Sequence, residues 1–284
     1  MSSNLHIVSR SDNRQVIQSK IHPRNELLTQ LLSVSSIEFD LLSELTVLPV
    51  TENQVLYEQG DRIEYVYFPL DSVISGVSIT EDGSAIETSM VGRDGIAGLT
   101  SVLNTEVSPQ WFWVTIGGSA IQMERKLLGK LLAHNQVALE SFLKYYGLLL
   151  THVAQRCVCN TRHTIMERLC CWLLMIHDRI GPRSLRLTQE VMASRIGARR
   201  AGITTAAGTL QAINAVDYRR GRLQIRSRNI LEQMACECYK VMAVRFEPDT
   251  VSAHETANES RDLAFTGVVE SGEYDRYVAL NEGN

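Results

Sequence analysis

The sequence predicts an α+β protein in which an antiparallel β-roll, a long helix and a small winged helix-turn-helix unit follow one another. Three observations carry this. Short apolar strands recur at roughly ten-residue spacing between Val47 and Ile116. A run with heptad-like apolar steps then extends from Gln136 to Asn160. Finally, Leu187–Arg228 reads as two short helices meeting at a glycine corner, followed by a hairpin. The expected boundaries are a disordered polar tail over 1–24, the roll over 25–135, the long helix over 136–160, the winged unit over 161–245 and an acidic disordered tail over 246–284.

Asn25 suits the N-cap of a helix over Glu26–Leu32, and Ser36–Leu45 reads as a second amphipathic helix. From Val47 the apolar period shortens. Strands are expected at 47–50, 54–57, 65–68, 73–79, 85–90 and 111–116, with turns at Gly60-Asp61, Pro69, Asp82-Gly83 and Gly92–Gly95. This half is acidic, with about fifteen Asp/Glu against about six Lys/Arg between Arg24 and Asn135. A short helix over Arg125–Leu132 leads into the long one. There Leu139, Phe142, Leu143, Tyr146, Leu150, Val153 and Cys157 recur mostly at steps of three and four, a seam suited to pairing with a second copy of the chain. Thr164–Arg179 is the next helix, ended by Gly181-Pro182, and a last helix is expected over Asn229–Val241.

Within the C-terminal unit Thr188 is a good N-cap, and Gly197 can end the first helix because glycine tolerates positive φ. The second helix has Ile203, Ala206, Ala207 and Leu210 at helical spacing. Its N-terminal end carries Arg199 and Arg200, then Thr204 and Thr205. In a helix-turn-helix that end enters the major groove. The hairpin Tyr218–Arg228 turns at Gly221, with Arg219, Arg220 and Arg222 crowding its tip, where a wing meets phosphates. From His163 to Ile230 twelve arginines face four acids on a chain whose net charge is −4. Such a concentration repels itself unless a polyanion lies opposite. Thr188, Arg199, Arg200, Thr204, Thr205, Arg219, Arg220 and Arg222 are therefore the expected contacts to double-stranded DNA.

Other classes find little support. No apolar run reaches the eighteen or so residues that span a bilayer, so no membrane partner is expected, and residues 1–20 lack the apolar core of a signal peptide. The six cysteines fall as Cys157/Cys159, Cys170/Cys171 and Cys236/Cys238. These spacings suit neither a secreted disulfide framework nor a zinc ribbon, and a reduced cytoplasm is expected. Nucleophile elbow, paired catalytic carboxylates and zinc-protease motif are all missing, so an enzyme is not expected. Cys159 and His163, four apart on a helix, could share a metal, and Cys170 with His177 less well. Packing is the commoner use of such residues, and neither a metal nor another cofactor is expected. The acidic residues after Phe246 suit solubility, or competition with DNA for the arginine cluster.

Several local motifs add to this. Val55-Leu56-Tyr57-Glu58-x-Gly60-Asp61, Val66-Tyr67-Phe68-Pro69, Met90-Val91-Gly92-Arg93-Asp94-Gly95, Leu173–Arg179 and Ala235-Cys236-Glu237-Cys238-Tyr239 occur in that order. With the element order, they make Asn25–Tyr239 resemble a Crp/Fnr-type transcriptional regulator. The resemblance implies a homodimer that binds a near-palindromic operator and recruits or blocks RNA polymerase. The departures matter as much. Cyclic-AMP-binding members hold the nucleotide with a Glu and an Arg, whereas the corresponding loop here, Gly95-Ile96-Ala97-Gly98-Leu99, offers Ile96, and Gln110 stands where Arg is expected. A buried phosphate without a cation is costly, so Gly95, Ile96, Gly98, Gln110 and Trp111 are expected to line only a degenerate pocket. Trp111 and Trp113 are expected to fill the core where a nucleotide would sit. The chain has no cysteine before Cys157, so the iron–sulfur cluster of oxygen-sensing members is not expected. On the reading helix Arg200, Ala201 and Thr205 replace the Arg, Glu and Arg of the cyclic-AMP-binding members, so their operator does not carry over. The alternative is a dimeric ligand- or redox-responsive scaffold with weak DNA binding, its reading helix softened by Gly202 and Gly208.

Overall fold

The computed structural model describes residues 25–33, 44–103 and 106–244. The tails expected over 1–24 and 246–284, and most of the helix expected over 36–45, lie outside the described residues. The roll consists of β1 (Thr46–Val50), β2 (Val55–Tyr57), β3 (Tyr65–Pro69), β4 (Val73–Ile79), β5 (Ala85–Val91), β6 (Trp111–Ile116) and β7 (Gly118–Glu124). One sheet runs β1-β7-β3 and the other β2-β6-β4-β5, with antiparallel neighbours throughout. Val50, Tyr57, Ile74, Val91, Phe112, Val114 and Ala120 form one core cluster drawn from both sheets.

The central strand β7 is absent from the sequence expectation, because Gly117-Gly118-Ser119 reads as loop. Its glycine is there for space. A Cβ on Gly118 would lie 2.7 Å from the Asp71 carbonyl oxygen, while the Asp71 carboxylate accepts from Ser119 N and Oγ, both at 2.7 Å.

Helix α1 (Glu26–Ser33) begins at Asn25, whose Oδ1 accepts from Leu28 N at 2.9 Å. After β7 come α2 (Arg125–His134) and the long α3 (Gln136–Arg162), the latter capped by Asn135 accepting from Ala138 N at 2.9 Å. Leu27, Leu28 and Leu31 pack with Leu128, Phe142 and Tyr145 against the roll. This corrects the expected pairing seam. Phe142 is only 1% exposed and Leu139 packs beside it, so both belong to the chain's own core. A count of steps of three and four merged two faces of α3, one turned inward and one outward.

The C-terminal unit opens with α4 (Ile165–Ile180). Thr164 and Glu167 form a reciprocal capping box there, each side chain satisfying the other's backbone N–H. Then follow β8 (Leu185–Arg186), α5 (Gln189–Ile196), α6 (Arg200–Ala212), β9 (Val216–Arg219), β10 (Arg222–Ile225), α7 (Arg228–Met234) and α8 (Cys238–Met242). The expected last helix is thus two helices, broken at Ala235-Cys236-Glu237. Trp172, Leu173 and Ile176 of α4 share one cluster with Ile203, Leu210, Leu223 and Leu231, and also with Val73, Met90 and Ile116 of the roll. The β-roll and the helical unit are therefore packed together rather than strung on a linker.

A buried polar network fixes that junction. Glu87, fully buried on β5, accepts from Ser75 Oγ at 2.5 Å and from Trp172 Nε1 at 2.9 Å, and it pairs with Arg156 of α3 at 3.0 Å. Arg156 also donates to the Arg195 carbonyl at 3.0 Å, and Arg195 Nε donates to Thr115 Oγ1 at 3.0 Å. Roll, long helix and α5 are thereby held by one set of hydrogen bonds. Burial lowers the Arg195 guanidinium below its usual value, and the Glu87 charge opposes that shift.

Candidate nucleic-acid interface

The helix-turn-helix is built as its local chemistry dictates. Thr188 Oγ1 accepts from Val191 N at 3.1 Å and starts α5. Gly197 then takes φ 63°, a left-handed conformation that ends the helix without strain. Arg199 is the N-cap residue of α6 and Arg200 its first residue. Ile203, Ala206, Ala207 and Leu210 are buried, so α6 presents Ala201, Thr204, Thr205, Gly208 and Thr209 outward. Gly202 sits under Ile165 of α4, where a Cβ would displace that side chain.

Arg199, Arg200, Arg219, Arg220 and Arg222 are all exposed, the last three flanking or forming the wing turn. The threonines are more committed than their exposure suggests. Thr188 is used as a cap, Thr204 Oγ1 is 2.8 Å from Gln189 Oε1 and 3.1 Å from the Arg200 carbonyl, and Thr205 Oγ1 donates to the Ala201 carbonyl at 3.2 Å. What Thr204 and Thr205 offer outward is mainly a methyl group. Gln189, which the sequence reading passed over, joins the two reading helices through Thr204.

The wing is a three-stranded sheet, β8-β10-β9, with β8 missed from sequence because Leu185–Arg186 is only two residues long. Its turn has φ 50° at Arg220 and 74° at Gly221, the paired positive angles of a tight two-residue hairpin. The Leu187 N–H donates to the Gly221 carbonyl at 2.9 Å, so the wing tip is tied to the start of α5. Charge at the tip is partly internal. Asp217 pairs with Arg219 at 3.3 Å and Arg226 at 2.9 Å, and the Arg226 hydrogen bond holds its carboxyl below the usual carboxylate range. A cleft of about 470 Å³ beside Arg186, Arg220 and Arg222 has Glu52 and Asn53 of the roll among its lining residues. The count of twelve arginines also shrinks in three dimensions. Arg179 is buried against Asp94, Arg195 against Trp113, and Arg228 pairs with Asp178 and Glu232.

The Crp-like helix-turn-helix domain family matches residues 167–234, the segment that holds α5, α6 and the wing. The whole architecture has solved counterparts. FixK2 from Bradyrhizobium japonicum is similar with a TM-score of 0.59 at 16% identity, covering 68% of this chain and 98% of its own. TTHB099, a CRP-family transcriptional regulator from Thermus thermophilus, gives 0.55 at 13% identity, with coverages of 71% and 99%. A mutant of CooA from Carboxydothermus hydrogenoformans gives 0.52 at 11%, with 74% and 95%. Residues 167–234 thus carry a Crp-like helix-turn-helix domain, and the chain as a whole shares its fold with these structures. No curated protein matches it in sequence.

In this chain the loop at Gly92–Leu99 is sealed by its own neighbours. A Cβ on Gly95 would run into the Tyr145 ring, and Tyr145 Oη accepts from Ile96 N at 3.2 Å. Gly98 has φ 89°, and Ile96 is 1% exposed within the core beneath α3. Gly95, Ile96 and Gly98 are thus packing and turn residues. Gln110 Oε1 accepts from Thr88 Oγ1 at 2.6 Å. The tryptophans correct the expectation placed on them. Phe112 and Val114 point into the roll, so Trp111 and Trp113 alternate outward, 6.0 Å apart and edge-on. The Arg195 guanidinium lies 4.9 Å from the Trp113 ring centroid. These rings therefore serve the outer face of the sheet that receives α5. Along α3, Leu143, Tyr146 and Leu150 are 48%, 36% and 58% exposed, Val153 is half-buried and Cys157 exposed. None of the helices among the described residues is long and apolar enough to cross a membrane.

Proposed function

We propose that this chain is a sequence-specific transcriptional regulator that binds DNA as a homodimer on a near-palindromic operator. One observation carries the reading: within the matched segment, Arg199 and Arg200 stand exposed at the N-terminal end of α6, beside the arginine-tipped wing. Arg200 takes guanine O6 and N7 as a bidentate pair, Arg199 clamps backbone, and Arg219, Arg220 and Arg222 reach phosphates. Dimerisation through α3 is supported by the apolar side chains it leaves outward, Leu143, Tyr146 and Leu150. A two-fold axis there sets two copies of α6 one DNA turn apart. Independence from cyclic AMP is supported by the packed Ile96 and the Thr88-bound Gln110, which offer a phosphate no cation. Bound at a promoter in the cytoplasm, the dimer recruits or blocks RNA polymerase and catalyses no reaction. Selection of bound fragments from genomic DNA tests this. Enrichment of an inverted repeat, unaffected by cyclic AMP, is expected; recovery of no preferred sequence at moderate ionic strength contradicts it.

A further inference from the structure

Away from the reading helix, four side chains with metal-binding chemistry converge. We propose that Cys159, His163, Cys236 and Cys238 form a closed tetrahedral site for a zinc-type divalent cation, which pins the end of the DNA-reading unit to the end of the long helix. Their ligand atoms all lie within 4.8 Å of one another. Cys159 Sγ is 3.5 Å from Cys236 Sγ, and Cys238 Sγ is 3.5 Å from His163 Nδ1. A tetrahedral ion with bonds of about 2.3 Å to sulfur and about 2.0 Å to nitrogen places its ligands roughly 3.5–3.8 Å apart. The side chains are therefore gathered at nearly the spacing a bound ion requires.

The surroundings match the layer that supports such ligands. His163 Nε2 faces Glu237 Oε1 at 3.2 Å, which fixes the ring and directs Nδ1 at the thiols. Gln155 Nε2 donates to Cys238 Sγ at 3.0 Å, a hydrogen bond that favours the thiolate form a metal needs. Cys159, Cys236 and Cys238 are buried and His163 half-buried. Four protein ligands leave no position for water, so the site is structural, and thiolate-rich ligation selects zinc over oxygen-seeking magnesium or calcium.

Local structure explains the spacing. Cys159 and His163 sit four apart at the end of α3, one helical turn, while Cys236 lies in the break between α7 and α8 and Cys238 opens α8. A Cys-x-Cys step reaches one ion only where the backbone leaves the helical path, which it does at that break. The cation thereby ties α8 to α3. This site stands or falls independently of DNA binding.

Metal analysis of the full-length chain purified under reducing conditions tests the proposal, together with cobalt(II) titration of the metal-stripped chain. Zinc stoichiometric with the chain is expected in the wild type and in Cys157→Ser, whose exposed thiol lies outside the set. It is expected to fall to background in Cys236→Ser and Cys238→Ser. Cobalt(II) is expected to give the intense visible bands of a tetrahedral thiolate complex, bleached by added zinc. Should the serine variants fail to fold, the wild-type cobalt spectrum and metal loss in His163→Gln decide. Background metal with no cobalt–thiolate bands in the wild type, or full metal content in the Cys236→Ser/Cys238→Ser double variant, overturns it.

Discussion

Arg200 and Arg222 are both exposed arginines of the C-terminal unit, yet the proposed function gives them different tasks. In the proposed complex Arg200 leads a helix end into the major groove, so Arg200→Ala should cost on the order of 1–3 kcal/mol on the preferred operator and relax specificity at one position per half-site. Arg222, at the wing tip, is proposed to meet phosphate, and Arg222→Ala should weaken preferred and scrambled duplexes alike and reduce the salt dependence. Fluorescence anisotropy on both duplexes separates the two; identical behaviour of the variants contradicts the assignment. Glu87 makes the strongest residue-scale prediction about stability. It is fully buried and satisfies Ser75, Trp172 and Arg156 at once. Glu87→Ala leaves a buried cation without its counter-charge and should lower stability by about 3–5 kcal/mol, read by urea denaturation. A loss under about 1 kcal/mol would mean that water reaches the junction. The exposed arginines at the reading helix were legible in the sequence because caps and turns are local. Glu87 was not, since nothing adjacent to it in sequence tells that Arg156, some seventy positions later, will arrive beside it.

At the scale of elements, α6 shows how local propensity and packing divide the work. Gly202 and Gly208 both weaken the helix by propensity, but only Gly202 has a neighbour in the way, the Ile165 side chain. Nothing lies within 4 Å of a Cβ placed on Gly208. Gly208→Ala should therefore raise the stability of the chain by up to about 1 kcal/mol in urea denaturation, and a loss would contradict the open space beside it. The same distinction governed what the sequence revealed. Strands that form short apolar runs between turns, such as β4 and β6, and capped helices, such as α5, were readable. β7 was not, because its role rests on Asp71 and on pairing with β1 and β3, all distant in sequence. The break before α8 was hidden because Cys236 and Cys238 are compatible with a continuous helix, and only their convergence with Cys159 and His163 gives the interruption a purpose.

For the whole molecule, the packing of roll on helical unit makes stability depend on pH. Burial lowers the His152 pKa, Arg179 adds to that and Asp94 opposes it, while burial and Arg228 lower His177. A histidine whose folded value is depressed takes up its proton more readily when unfolded. Its contribution is complete above the unfolded value of about 6.5 and is lost as pH falls through that value toward the folded one. The thermal midpoint should therefore drop between about pH 7 and about pH 5, and less steeply in His152→Gln. An identical slope in the variant contradicts the assignment to His152. The proposed self-association is tested at the same scale. Leu150→Glu, on the outward face of α3, should give a chain that sediments as a monomer and binds the operator at least about tenfold more weakly, as expected when a half-site acts alone. The outward face of α3 could be only half read from sequence, because a heptad count cannot tell Phe142, turned into its own core, from Leu150, turned away. The most direct measurement is sedimentation of the chain with a duplex carrying its selected inverted repeat. The account predicts a complex of paired copies on each duplex that disappears with a scrambled sequence or with Arg200→Ala; a single copy bound, or equal binding to both duplexes, contradicts it.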